Sequence, residues 1–147
     1  MIEKIKSELF KKYKNDEIKW LFFSLFDGKN NLLFSNGVLK TDKTIDNLVD
    51  TLYYGLMDKI SWVKVIVIDV VLSYIQETDL NKLLLYSIKE NWFCLISLTD
   101  QKTGVLLPDT KWISDAKQAL SYIKQKNWIS WNLEIYSFKT DRIVISD

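Results

Sequence analysis

A chain of 147 residues, 48% hydrophobic and 27% charged, is long enough for one domain that buries roughly 68–70% of its unfolded surface, and its composition is that of neither a disordered nor a fibrous protein. A net charge of +1, with Arg142 the only arginine among 20 basic residues, excludes a bulk field for nucleic acid or anionic lipid and leaves one guanidinium fork for bidentate recognition. The absence of histidine removes serine–histidine, cysteine–histidine and histidine–zinc chemistry, and a lone cysteine, Cys94, cannot close an internal disulfide.

Ile2, Ile5, Leu9 and Tyr13 recur at helical spacing and predict an amphipathic first helix that ends near Asn15. Its rhythm lacks the uninterrupted apolar stretch of a secretory signal, and no apolar run reaches the ~18 residues of a membrane span. A cytoplasmic location is the expectation. Leu21 to Phe26 reads as a strand closed by the turn Asp27-Gly28, with Asn31 to Ser35 returning as the second arm of a hairpin. Asn36-Gly37 reads as another turn, after which Ile45, Leu48, Val49, Leu52 and Leu56 form a helical stripe to about Met57. Val63 to Leu72 is apolar on both faces and rich in β-branched residues, as expected of a central strand. Asp69 interrupts it. A carboxylate on an apolar face is costly unless paired, so Asp69 marks either a site or the point where the strand leaves the core or bulges.

Asp79 is placed to cap a short helix carrying Leu80, Leu83, Leu84 and Ile88. Phe93 to Thr99 and Gly104 to Leu107 read as two strands joined by Asp100 to Thr103, and Pro108 ends the pair. Cys94, inside the apolar run WFCLISL, reads as a buried small hydrophobe. Ser114 is the expected N-cap of a helix with Ala116, Ala119, Leu120 and Ile123 on one face. Leu133 and Ile135 alternate with polar neighbours as a strand, and Ile143 to Ile145 forms a short terminal one. Hairpins mixed with single helices predict an α+β fold, a largely antiparallel sheet covered by about three to four helices in a single domain over 1–147.

The tryptophans are anomalous. There are six of them against four glycines, where a usage of roughly 7% would give about ten glycines. Each follows a polar residue, and five of the six immediately precede a hydrophobic one, where glycine punctuates a chain. In IKQKNWIS the helix stop falls on Trp128, a position that favours the left-handed conformation, with Ile129 placed to touch Ile123. A residue with a Cβ costs about 1–2 kcal/mol there. One reading is that Trp20, Trp62, Trp92, Trp112, Trp128 and Trp131 stand where the natural protein has glycine, through translation of a reassigned UGA codon; the lysine- and isoleucine-rich composition suits an AT-rich genome. A second is that the indoles are natural and pack at element ends with the N–H in reach of water. A third takes Trp112, Trp128 and Trp131 as stacking platforms for sugars or single-stranded bases, although no basic groove accompanies them.

From Trp92 onward, WFCLISLTDQKTGVLLPDT, a helix, KQKNWIS and LEIYSFKTDRIVI together resemble the second half of the AMMECR-type domain, named after the Alport-syndrome and elliptocytosis chromosomal region. Gly104 to Asp109 match its G-x-x-LP stretch and Tyr136-Ser137-Phe138 its closing strand, while Trp92 and Trp128 stand where the family has glycine. The first half is fainter: Leu32 to Gly37 fall on the L-R-G-C-I-G signature with only Leu32 and Gly37 matching, and Ser35 replaces the family's cysteine. The resemblance implies an α+β fold of poorly defined biochemical activity.

No motif in the chain calls for a catalytic group, a cofactor or a metal. The expected function is a non-catalytic module that binds a protein or small ligand, with neither nucleic acid nor membrane as partner. Its candidate residues are Ser35, Asn36, Gly37, Lys40, Asp69, Pro108 and Asp109, where two turns approach each other. The alternative is an enzyme with Ser35 or Cys94 as nucleophile and a lysine or aspartate as base. Self-association through an exposed apolar patch is a third.

Overall fold

The computed structural model describes residues 1–57, 61–97, 102–108, 110, 112–129 and 133–146. In chain order the elements are α1 (Ile2–Leu9), β1 (Leu21–Phe26), β2 (Leu32–Val38), α2 (Ile45–Met57), β3 (Val65–Gln76), α3 (Leu80–Leu83), β4 (Trp92–Ser97), β5 (Thr103–Leu106), α4 (Ala116–Asn127) and β6 (Leu133–Ser146). The strands hydrogen-bond in the order β2-β1-β3-β6-β4-β5 as an antiparallel sheet, so the fold is α+β. Backbone proximity divides the chain into two compact units, Met1–Leu72 with Thr140–Asp147, and Ser73–Lys139.

In the first unit one face of the strands is a continuous apolar core. Leu21, Phe23 and Leu25 of β1 alternate into it with Ile66, Ile68 and Val70 of β3, and the α2 stripe Ile45, Leu48, Val49 and Leu52 covers them. Ile5 and Leu9 complete it from α1. That helix stops at Leu9 rather than near Asn15. Past it the chain turns, and Tyr13 donates its hydroxyl to Asp141 at 2.7 Å while its ring packs on the core.

Two further expectations fail in this unit. Asn36-Gly37 is not a turn but part of β2, with Asn36 opposite Phe23 and Gly37 opposite Phe22. Glycine is needed there for space and not for φ: a Cβ on Gly37 would lie 2.2 Å from the Phe22 ring. Nor does β3 leave the core or bulge at Asp69. Its register with β1 runs unbroken from Val65 to Val70, with Asp69 opposite Phe22, and the strand extends to Gln76.

In the second unit α4 lies across β5. Ile123 and Asn127 approach Gly104 so closely that a Cβ there would sit 2.5 Å from each. Phe93 and Leu95 of β4, Leu106 of β5, and Ala116, Ala119, Leu120 and Ile123 of α4 form the core, closed by Leu83 and Ile129. The N-cap of α4 is Asp115, not Ser114: the Asp115 carboxylate accepts the Gln118 N–H at 2.8 Å, three residues on, where an N-cap acceptor reaches. Ser114 instead bonds the Gln118 side chain through its own N–H and hydroxyl. Asp79 does cap α3, accepting the Asn81 N–H, but the helix stops at Leu83 and leaves Leu84 and Leu85 exposed. The two expected terminal strands are one strand, β6. No helix among the described residues is long and apolar enough to cross a membrane.

Candidate functional site

Ser35, Asn36 and Gly37 lie on β2, an outer strand of the sheet, and Lys40 follows it with φ of 49°. Strand alternation puts Ser35 and Gly37 on one face and Asn36 on the other. Register brings Gly37 and Asp69 into one row, on either side of Phe22. Pro108 follows β5 in the other unit, and Asp109 lies outside the described residues. Of the alternative nucleophiles, Ser35 is exposed opposite Ser24, while Cys94 is fully buried in β4.

Asp69 has no exposure at all and both of its oxygens are engaged. Arg142 Nε donates to Oδ1 at 2.9 Å and Nη2 to Oδ2 at 3.2 Å, and the Thr140 hydroxyl donates to Oδ1 at 2.9 Å. A buried carboxylate is tolerable when its charge is matched and its lone pairs are filled. The single arginine is thus engaged by a buried carboxylate, while its own side chain stays 52% exposed. Sequence reasoning named Asp69 but missed its partner; an acid inside an apolar run and a single arginine in the sequence were the available signal.

The second unit holds a depression of about 340 Å³ lined by Ser73, Ile75, Tyr86, Asn91, Ser137 and Lys139, with Phe138 at its edge. The Tyr86 hydroxyl donates to Glu77 at 2.8 Å, and the carboxylate beside it raises the phenol's pKa. Glu77 itself is held below its ordinary pKa, chiefly by the Asp79 N–H and then by Tyr86. Asn91 donates a side-chain N–H to the Ser87 carbonyl at 2.9 Å. Ser137 is 3% exposed, and among the described residues its hydroxyl has no hydrogen-bond partner. None of these residues was singled out from the sequence. A signal existed: Ser137 falls on the same strand face as Leu133 and Ile135, which pack on the core, so it is polar where the period calls for an apolar residue.

Trp20 and Trp92 are buried, Trp92 stacked on Phe138 at 5.5 Å, whereas Trp112 and Trp128 are 89% and 82% exposed. Trp131 lies outside the described residues. Four non-glycine residues among those described have positive φ: Asn30, Lys40, Trp112 at 70° and Trp128 at 56°. Asparagine enters that region readily, but a bulky side chain is an outlier there. Trp128 ends α4 in the left-handed conformation, and the Ile129 N–H returns to the Lys124 carbonyl at 3.1 Å, the six-to-one bond of a Schellman stop. A second depression, of about 400 Å³, is bounded by Thr110, Ile113, Gln118, Tyr122 and Trp112 itself.

No protein-family model matches the chain, and no curated protein sequence does. Among solved structures it is similar to the uncharacterised protein PH0010 from Pyrococcus horikoshii, with a TM-score of 0.67 over 97% of this chain and 86% of that one, at 12% sequence identity. Likeness at that identity establishes a shared fold.

Proposed function

We propose that the chain is a divergent AMMECR-type domain acting as a non-catalytic binding module, and that its natural form carries glycine at positions 112 and 128. The observation that carries this reading is the left-handed stop of α4 at Trp128. The resembling family has glycine at its K-x-G-L stop, and this backbone takes the conformation that glycine enters freely. Trp112, an exposed indole at φ 70°, repeats the pattern. Gly104 adds to it: the glycine of the G-x-x-LP stretch is the residue on which α4 rests.

A binding role is supported by β2. It is an outer strand whose sequence, LLFSNGV, carries no charge, with Leu32 and Phe34 exposed. Such an edge accepts an extended segment of a partner protein as a further strand. Ser35, Asn36 and Gly37 would then supply backbone groups, with Lys40 beside them. Reading the codons at 112 and 128, with the intact mass of the protein from its own host, tests the glycine assignment: UGA and the lighter mass are expected, and UGG overturns it. A fluorophosphonate probe tests the catalytic alternative, and covalent capture at Ser35 would overturn the non-catalytic role.

A further inference from the structure

Ser137 sits under the depression in the second unit, with a hydroxyl that has no partner among the described residues. Its side chain is on the side of the sheet where the depression lies. Tyr74 and Tyr136 meet edge to face at 5.8 Å on one side, so alternation along β3 and β6 puts Ser73, Ile75, Ser137 and Lys139 on the other. Tyr86 and Asn91, from the segment between α3 and β4, close over them. A buried hydroxyl without a partner is costly, and the cost is recovered when a ligand completes the bond.

The chemistry around the depression defines what that ligand offers. Two acceptors nearby are engaged: Glu77 takes the Tyr86 hydroxyl on one oxygen and the Asp79 N–H on the other, and the Ser87 carbonyl takes the Asn91 amide. The donors that the lining offers are the Ser137 and Ser73 hydroxyls, the second Asn91 amide proton and the Lys139 ammonium, while the two hydroxyls and the Asn91 side-chain oxygen can also accept. Lys139 is the only charged residue of the lining among the described residues. Its contact with Glu90 is long, 3.8 Å, and both side chains are largely exposed, so the pair has little strength to resist exchange. One lysine and no arginine suit a single negative charge and not a phosphate dianion, which calls for a fork or several cations. Ile75 supplies an apolar wall, and about 340 Å³ is at the lower end for small-molecule sites.

We propose that this depression binds a small organic monocarboxylate. Ser137 donates its hydroxyl proton to one carboxylate oxygen, Lys139 balances the charge at the mouth, and the hydrocarbon or aromatic body lies against Ile75. The site is separate from the β2 edge and includes neither Trp112 nor Trp128, so it stands independently of the reading proposed above.

The test is an amide-resolved NMR titration of the full chain with benzoate, using benzamide and inorganic phosphate as controls, alongside Tm. Benzoate is expected to move the resonances of Ser73, Asn91, Ser137 and Lys139 and to raise Tm, while the neutral isostere and phosphate do neither. Ser137→Ala should fold with an unchanged or higher Tm, because it removes an unpaired group, and should weaken benzoate about tenfold or more, the effect of one hydrogen bond to a charged group. Lys139→Gln, at an exposed position, should fold normally and weaken benzoate several-fold. The proposal is overturned if benzoate leaves those resonances in place, if benzamide or phosphate binds as well, if Lys139→Gln binds like the parent, or if Ser137→Ala lowers Tm, which would make the hydroxyl structural.

Discussion

Asp69 in the first unit and Ser137 in the second are both polar residues buried in strands, but the protein treats them differently. Around Asp69 the fold gathers Arg142 and Thr140 so that both carboxylate oxygens are filled. Around Ser137 it gathers donors and apolar walls and leaves the hydroxyl without a partner among the described residues. A satisfied buried group holds the fold together and is closed to ligands, whereas an unsatisfied one next to open volume is where a ligand can still add something. The carboxylate singled out in the sequence is clamped by its own fold, and a residue that looked ordinary lines the candidate site.

The largest expected effect tests the first half of this contrast. Arg142→Ala strands a buried carboxylate and should cost about 3–5 kcal/mol in urea unfolding, with most of the loss recovered when Asp69→Leu is added. A loss under about 1 kcal/mol would mean that the clamp does not carry the charge. Gly37→Ala and Gly104→Ala push a Cβ into the Phe22 ring and into Ile123, and should each cost about 1–3 kcal/mol, measured the same way. Trp128→Gly relieves a left-handed Cβ and should stabilise by about 1–2 kcal/mol; if it destabilises, the indole is making contacts that matter and the glycine assignment loses its support.

Tyr13→Phe removes the bond to Asp141, and thermal unfolding near neutral pH should show a loss of about 1 kcal/mol. Burial, followed by the Asp141 carboxylate, pushes the Tyr13 phenol above its ordinary pKa. The folded state therefore holds this proton more tightly than the unfolded chain does. The contribution is fully present below the ordinary tyrosine pKa of about 10 and is lost as pH rises through the folded value, so the two proteins should converge in stability under strongly alkaline conditions. The smallest effect, no loss of stability in Ser137→Ala, is the one on which the contrast between the two residues turns.

Much of the fold was legible because period and punctuation are local. The β1 run and the α2 stripe fall where an apolar aromatic run closed by Asp27-Gly28 and helical spacing placed them, and the left-handed stop of α4 at position 128 follows from chemistry within one turn. The misreadings share a cause. Asn36-Gly37 carries the composition of a turn, yet Gly37 serves the ring of Phe22 on the neighbouring strand. Asp69 looks like an interruption until Arg142, far along the chain, is brought across to it. Of the candidate site only the break in apolar period at Ser137 was legible, since its lining comes from β3, β6 and the segment between α3 and β4.

The sequence by itself determined the class, the apolar faces of the main elements, the exclusion of histidine chemistry and the strain at position 128, because each depends on composition or on neighbours within a few residues. Only the tertiary structure decided which buried polar groups find partners. Hydrogen bonding and desolvation depend on groups that meet through strand pairing and helix packing, over separations that no local pattern encodes.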